Sequence, residues 1–307
     1  MSENTAKEII YTIEQMYDQL SKGQKRLADY VVKHYEKAVF LTAAKMGETV
    51  GVSESTVVRF ATQLGYKGYP EFQEALKEHM LGRLTSIQRM EVTYGRIHQS
   101  EILDRVLRSD IDKITHTQSA IDHKAFDMAV DMIAQGRRIY VIGLRSCAPL
   151  ASFFGFYLNL ICENVTIITT NSASEMFEQL MRVNEEDVVI GISFPRYSVR
   201  TVKAIEFASN RQAKVITLTD SPHSPVTLYS SCHLIARSDM ASIVDSLVAP
   251  LSVINALIVA LCMEKQEAVA ETLVQLEQIW DEYQVYNRDE LNYIDETVYQ
   301  KARKEHE

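Results

Sequence analysis

Five short runs in the second half of the chain, RRIYVIG, VTIITT, DVVIGIS, AKVITLTD and SCHLIAR, constrain its fold more than any other feature. Most are rich in Val and Ile with little alternation of apolar and polar residues. A strand of that kind must be covered on both faces, and parallel sheets achieve this by alternating strands with helices. Helical patterns do follow the first three runs, over 148 to 162, about 173 to 181 and about 197 to 210. The expectation is an α/β unit with a five-stranded parallel sheet between helices. Two helices precede it, 101 to 116 and 124 to 135, and an apolar helix over 243 to 263 follows.

The first 81 residues have no such runs and read as all-α. Their centre is TAAKMGETVGVSESTVVRFATQLG, from Thr42 to Gly65. One helix opens at Thr42, a turn falls at Gly51, Ser53 is placed to cap a second helix, and Gly65 supplies a left-handed residue to end it. In the second helix Val57, Phe60, Ala61 and Leu64 share the core face, which leaves Ser55, Thr56, Arg59 and Gln63 outward. Free N–H groups at a helix start attract phosphate, and short polar side chains with an arginine reach base edges, so the pattern is that of a helix-turn-helix lying in a DNA groove.

Charge supports this locally. The whole chain carries a net charge of −9, but Lys22 to Lys67 holds eight Lys/Arg against four Asp/Glu. Ser21 and Gln24 have capping-box spacing, and Lys22, Lys25 and Arg26 crowd the turn that follows, against the helix dipole but well placed for a passing phosphate backbone. An earlier amphipathic helix contains Ile9, Ile13, Met16, Tyr17 and Leu20. After Gly65, YKGYPEF predicts a turn at Gly68 and Pro70 that presents Tyr66, Lys67 and Tyr69 as a wing, then a helix from about Glu71 to Leu81.

At 307 residues the chain is comfortable for two domains. The expected division is a helix-turn-helix domain over 1–81, a linker over 82–100, an α/β domain with flanking helices over 101–282, and a tail over 283–307. The four cysteines, at 147, 162, 232 and 262, lack metal-ligand or CxxC spacing, so no zinc site, disulfide framework or cofactor is expected and the compartment reads as reducing, hence cytoplasmic. The nearest approach to a membrane span, 247 to 263, contains Pro250 and Asn255 and reads as a buried helix.

In a parallel sheet ligands bind beyond the carboxyl ends of the strands. Here those ends are GLRSCAPLA, TTNSASE and SFPRYSVRT, with Gly143, Arg145 and Ser146 in the first, Thr170 and Ser172 in the second, and Ser193, Arg196, Tyr197, Ser198 and Thr201 in the third. Hydroxyls with free N–H groups suit a phosphate monoester, and Arg145 and Arg196 could pair with phosphate or carboxylate.

The stretch VGVSESTVVRFATQLGYKGYPEF resembles the N-terminal helix-turn-helix of the RpiR/MurR transcriptional regulators, and about 124 to 264 resembles the sugar isomerase (SIS) domain of that family. The resemblance implies a bacterial regulator, a homodimer or homotetramer on a partly palindromic operator in double-stranded DNA, whose SIS domain senses a phosphorylated sugar or similar anionic effector. Family SIS domains bind phosphate through Ser/Thr at the first strand end and an SxSGxT-like loop after the third. Ser146 occupies the first position, and Ser193 and Ser198 the outer positions of the second. Pro195 and Arg196 stand where that loop has Ser and Gly, so the ligand could be held by arginine side chains or differ from a sugar phosphate.

Two other readings compete. A sugar-phosphate isomerase needs a general base beside the substrate carbon, for which His223, His233, Glu163 and Glu175 are available but without any partner visible in sequence, so no catalytic residue is expected. Alternatively the α/β domain only dimerises, through the helices at 101 to 116 and 243 to 263.

Overall fold

The computed structural model describes residues 12–81, 101–238 and 244–285, together with Ile9 and Ile87. The expected linker, apart from Ile87, and the tail beyond 285 lie outside the described residues.

The N-terminal unit begins with helical turns over 12–16 and Tyr17–Gln19. Five helices follow: α1 (Lys22–Lys33), α2 (Tyr35–Ala38), α3 (Ala43–Val50), α4 (Glu54–Gln63) and α5 (Tyr69–Leu81). Their apolar faces meet in one core around Leu27, Val31, Met46, Val57, Phe60, Phe72 and Leu76. The Ser21 capping box is present in both directions, with Gln24 N–H donating to Ser21 Oγ at 3.4 Å and Ser21 N–H to Gln24 Oε1 at 2.9 Å. No wing follows Gly65. Pro70 fits the first turn of α5, where its missing N–H is needed least, so the helix starts at Tyr69 rather than about Glu71. Tyr69 is buried with its hydroxyl donating to Leu41 O at 2.7 Å, and burial pushes its phenol well above the ordinary value.

The second unit opens with α6 (Ile102–Ala120) and α7 (His123–Gln135). The alternation follows: β1 (Ile139–Gly143), α8 (Ala148–Ile161), β2 (Val165–Ile168), α9 (Ala173–Leu180), β3 (Val188–Ile192), α10 (Val199–Asn210), β4 (Lys214–Thr219) and β5 (Cys232–Ile235). It closes with α11 (Val248–Glu264) and α12 (Gln266–Glu282). The strands form a parallel sheet in the order β2-β1-β3-β4-β5. Strand alternation sends Ile139, Val141, Val188, Ile190, Ile216 and Leu218 to a core under α7, α8 and α11. The opposite set, Tyr140, Ile142, Val189 and Val215, meets α9 and α10. The apolar helix expected from 243 begins at Val248. Val244 to Ser246 precede it as a non-helical segment, and Pro250 sits in its first turn. Among the described residues no single helix is long and apolar enough to cross a membrane.

Candidate functional site

Two features hold the helix-turn-helix angle. Gly51 ends α3 at φ 73°, in the left-handed region, and its N–H donates to Gly47 as the helix's last cap. Gly47 in turn lets the two helices meet, since a Cβ there would lie 2.7 Å from Val52 O. Arg26 reaches across from α1, its Nη2 donating to Gly51 O at 2.9 Å.

Against this frame α4 presents Ser53, Ser55 and Arg59 exposed and Thr56 half-buried. Ser53 takes the N-cap position, yet its hydroxyl bonds the hydroxyls of Ser55 and Thr56, each at 2.9 Å, rather than a backbone N–H. Arg59 folds back along its own helix, with Nε donating to Ser55 O at 3.1 Å and Nη2 to Ser55 Oγ at 3.3 Å. Thr42 caps α3 by accepting from Lys45 N–H. The side chains of Lys22 and Lys67 are exposed, Tyr66 packs edge-on to Phe72, and Lys25 lies over the Tyr17 ring.

Gln63 is placed differently from the outward position expected of it. Its Oε1 accepts from Gln24 Nε2 at 2.8 Å and its Nε2 donates to Gln19 O at 3.3 Å, so it fastens α4 to α1. Arg26 is likewise engaged with the turn rather than extended outward.

The second site lies in the α/β unit. Reversal of strand order between β1 and β3 opens a crevice at their carboxyl ends. A cleft of about 900 Å³ occupies this place, lined by Arg145, Ser146, Ser193, Arg196, Tyr197 and Ser198, with Asn171, Arg200, Val244, Asp245 and Leu247 among others. Three guanidiniums and one carboxylate from Asp245 make the wall net cationic. Gly143 is not itself on that wall. A Cβ there would fall 2.6 Å from Cys147 O and 2.7 Å from Ala151 Cβ, so its role is to let the turn carrying Arg145 and Ser146 fold back over β1.

Arg145 at φ 56° and Arg196 at φ 67° are both left-handed, a conformation that costs a side-chain-bearing residue of order 1–2 kcal/mol. Strain at two facing strand ends turns two arginines into one cleft. The loop is braced from behind, Tyr197 hydroxyl donating to Asp220 Oδ1 at 2.9 Å and Ser198 Oγ accepting from Thr201 N–H at 3.4 Å as the cap of α10. Arg200 donates to Asn171 O and bridges the second and third strand ends.

Besides Gly143, three expected ligand residues stand off the wall. Thr201 is fully buried, its hydroxyl without a partner among the described residues. Thr170 donates to Glu175 Oε2 at 2.6 Å, and Ser172 caps α9, so both organise the loop around Asn171. Arg200, Asn171 and Asp245 belong to the wall and were missed. Arg200 was visible in SFPRYSVRT as a first-turn residue of α10, whereas Asp245 falls inside the helix expected over 243 to 263, which starts only at Val248.

The isomerase candidates are scattered. His223, His233, Glu163 and Glu175 are all absent from the cleft lining, and burial raises the Cys147 thiol on its wall, keeping it protonated rather than nucleophilic. No group of His, Cys, Asp and Glu among the described residues could hold a metal ion.

Residues 7–81 match the helix-turn-helix domain of the rpiR family and residues 132–260 match the SIS domain. The chain belongs to the RpiR family of helix-turn-helix and SIS-domain transcriptional regulators. It is 25% identical over 270 residues to an HTH-type transcriptional regulator of Haemophilus influenzae, covering 85% of this chain and 92% of that one. With the regulator HexR of Escherichia coli the identity is 24%, covering 68% and 71%. The sugar isomerase domain of an RpiR transcription factor from Sphaerobacter thermophilus superposes with a TM-score of 0.56 at 26% identity, covering 58% of this chain and 99% of that one. The Vibrio vulnificus NanR protein, complexed with ManNAc-6P, shares the fold at a TM-score of 0.56 and 20% identity, covering 90% and 98%. These relatives of this RpiR-family chain are transcriptional regulators rather than enzymes, and the family's helix-turn-helix makes it a DNA-binding protein.

Proposed function

We propose that the cleft between β1 and β3 binds a phosphorylated sugar or a related anionic metabolite, and that its occupancy changes the affinity of the helix-turn-helix unit for an operator. The observation that carries this reading is the convergence of Arg145, Arg196 and Arg200 with Ser146, Ser193 and Ser198 on one wall. Guanidiniums offer paired donors that match a phosphate or carboxylate, and they replace the glycine-rich backbone cradle this loop lacks. That NanR is complexed with a sugar phosphate supports the ligand class.

On the DNA side, Ser55, Thr56 and Arg59 enter the major groove, with Thr42, Ser53, Lys22, Lys25, Tyr66 and Lys67 along the phosphates. The division at 1–81, 82–100, 101–282 and 283–307 separates reading from sensing. A second copy of the chain completes the regulator by covering α6. Leu103, Leu107, Ile111 and Ile114 form a bare stripe there, 70, 51, 61 and 37% exposed. Beside it runs a groove of about 410 Å³ lined by Ile114, Ile121, Phe126, Val253 and Ala256, and Val259 and Met263 extend the same face of α11. Apolar side chains left bare along one helix face in this way mark a surface for association.

Calorimetric titration with a panel of sugar phosphates tests the ligand claim. Wild-type protein is expected to bind at least one of them, and Arg196→Gly to weaken that binding about tenfold or more. Equal affinity in the variant would remove Arg196 from the site, and no binding by the wild-type protein to any anion would remove the reading.

A further inference from the structure

One wall of the cleft comes from the short segment ahead of α11, through Val244, Asp245 and Leu247. Ser246, in the middle of that segment, points the other way: it is 9% exposed and its Oγ donates to Asp110 Oδ1 of α6 at 2.6 Å. One turn along α6, the Lys113 ammonium is buried at 4% exposure, 3.7 Å from the same carboxylate oxygen and donating to Ser109 Oγ at 2.6 Å. One turn further, Thr117 Oγ1 accepts from Arg237 N–H at 3.0 Å, just after β5. Asp110, Lys113 and Thr117 thus form a polar line at i, i+3 and i+7 on the face that α6 turns toward the sheet unit, and Lys113 and Thr117 are its buried residues.

A buried ammonium is costly without its partners, so a shift of α6 that parted Ser246 from Asp110 would disturb the carboxylate that Lys113 faces. α6 is therefore held by specific bonds to the segment that walls the cleft, and α6 is the first helix after the stretch leading from the DNA-binding unit. An anion seated among three guanidiniums brings negative charge into the space that Asp245 lines, so occupancy alters the forces on 244–247. We infer that Ser246 and Asp110 are the positioning pair through which an occupied cleft sets the placement of α6. This rests on the effector reading of the cleft above. Neither residue lines the cleft, so the pair acts on the response of α6 without touching the ligand.

Hydrogen exchange by mass spectrometry on the full-length protein tests this, with inorganic phosphate as the probe against chloride at equal ionic strength. In the wild-type protein phosphate is expected to slow exchange in the 193–198 loop and to change exchange along α6 by about twofold or more. Ser246→Ala and Asp110→Ala should keep the loop protection and lose the α6 change, while Ser246→Thr, which retains the hydroxyl, should keep both. A response of α6 in Ser246→Ala equal to that of the wild type would overturn the inference, as would a wild-type protein in which the loop responds and α6 does not. A wild-type loop that shows no protection would overturn the effector reading and the inference with it.

Discussion

Arg196 sits where a glycine would be free of strain, at φ 67°. The αL cost of about 1–2 kcal/mol exceeds the roughly 0.4–1 kcal/mol that a glycine's extra freedom in the unfolded chain would take back. Arg196→Gly should accordingly be as stable as the wild type or up to about 1 kcal/mol more stable in denaturant titration, while its anion affinity falls. Opposite signs in the two measurements identify a residue kept for binding; a loss of stability of more than about 1 kcal/mol would mean the guanidinium supports the fold instead. The presence of Arg145 and Arg196 at adjacent strand ends could be read from the sequence, because both lie where loops meet helix starts. Their left-handed backbones could not, since a positive φ in a non-glycine residue has no local signature and arises from the close return of each loop over its strand.

The helix α4 shows how far periodicity carries. Its core face, Val57, Phe60 and Ala61, and its exposed Ser55 and Arg59 follow directly from 3.6-residue spacing. Gln63 lies on the polar side by the same count, yet it is bonded to Gln24 and Gln19, because α1 crosses that end of α4 and periodicity carries no record of a neighbour. Arg26 reads as a phosphate contact for the same reason, although Gly51 O holds it. If Arg59 reads a base edge, Arg59→Ala should cost about 1–3 kcal/mol on an operator and relax its sequence preference, whereas Lys22→Ala should weaken operator and random duplex alike. Fluorescence anisotropy on both duplexes distinguishes them, and equal losses for both variants on both duplexes would contradict the assignment. The helix α6 carries its own test. Ile111→Asp places a charge in the middle of the bare stripe and is expected to lower the sedimentation coefficient of the proposed oligomer toward that of smaller species; a value unchanged by this substitution would place any interface elsewhere.

At the scale of the whole chain, the five strand runs and their absence from the first 81 residues were enough to predict a helical unit ahead of a five-stranded parallel sheet. Strand order, and hence the place of the cleft, needs the pairing of β1 with both β2 and β3. Asp245 illustrates the limit: it reaches the cleft from a segment far along the chain, and no spacing in its neighbourhood marks it. An effector can bias operator binding only by the difference between its affinities for the two arrangements of the protein, so the link between cleft and DNA unit is itself the quantity to measure. The most direct measurement is selection of genomic fragments by the purified protein at two salt concentrations, with a sugar-phosphate mixture present or absent. The account predicts recurrent, partly palindromic fragments that survive the higher salt and whose retention changes with the mixture. Retention of random DNA alone, lost as salt rises and indifferent to the mixture, would contradict it.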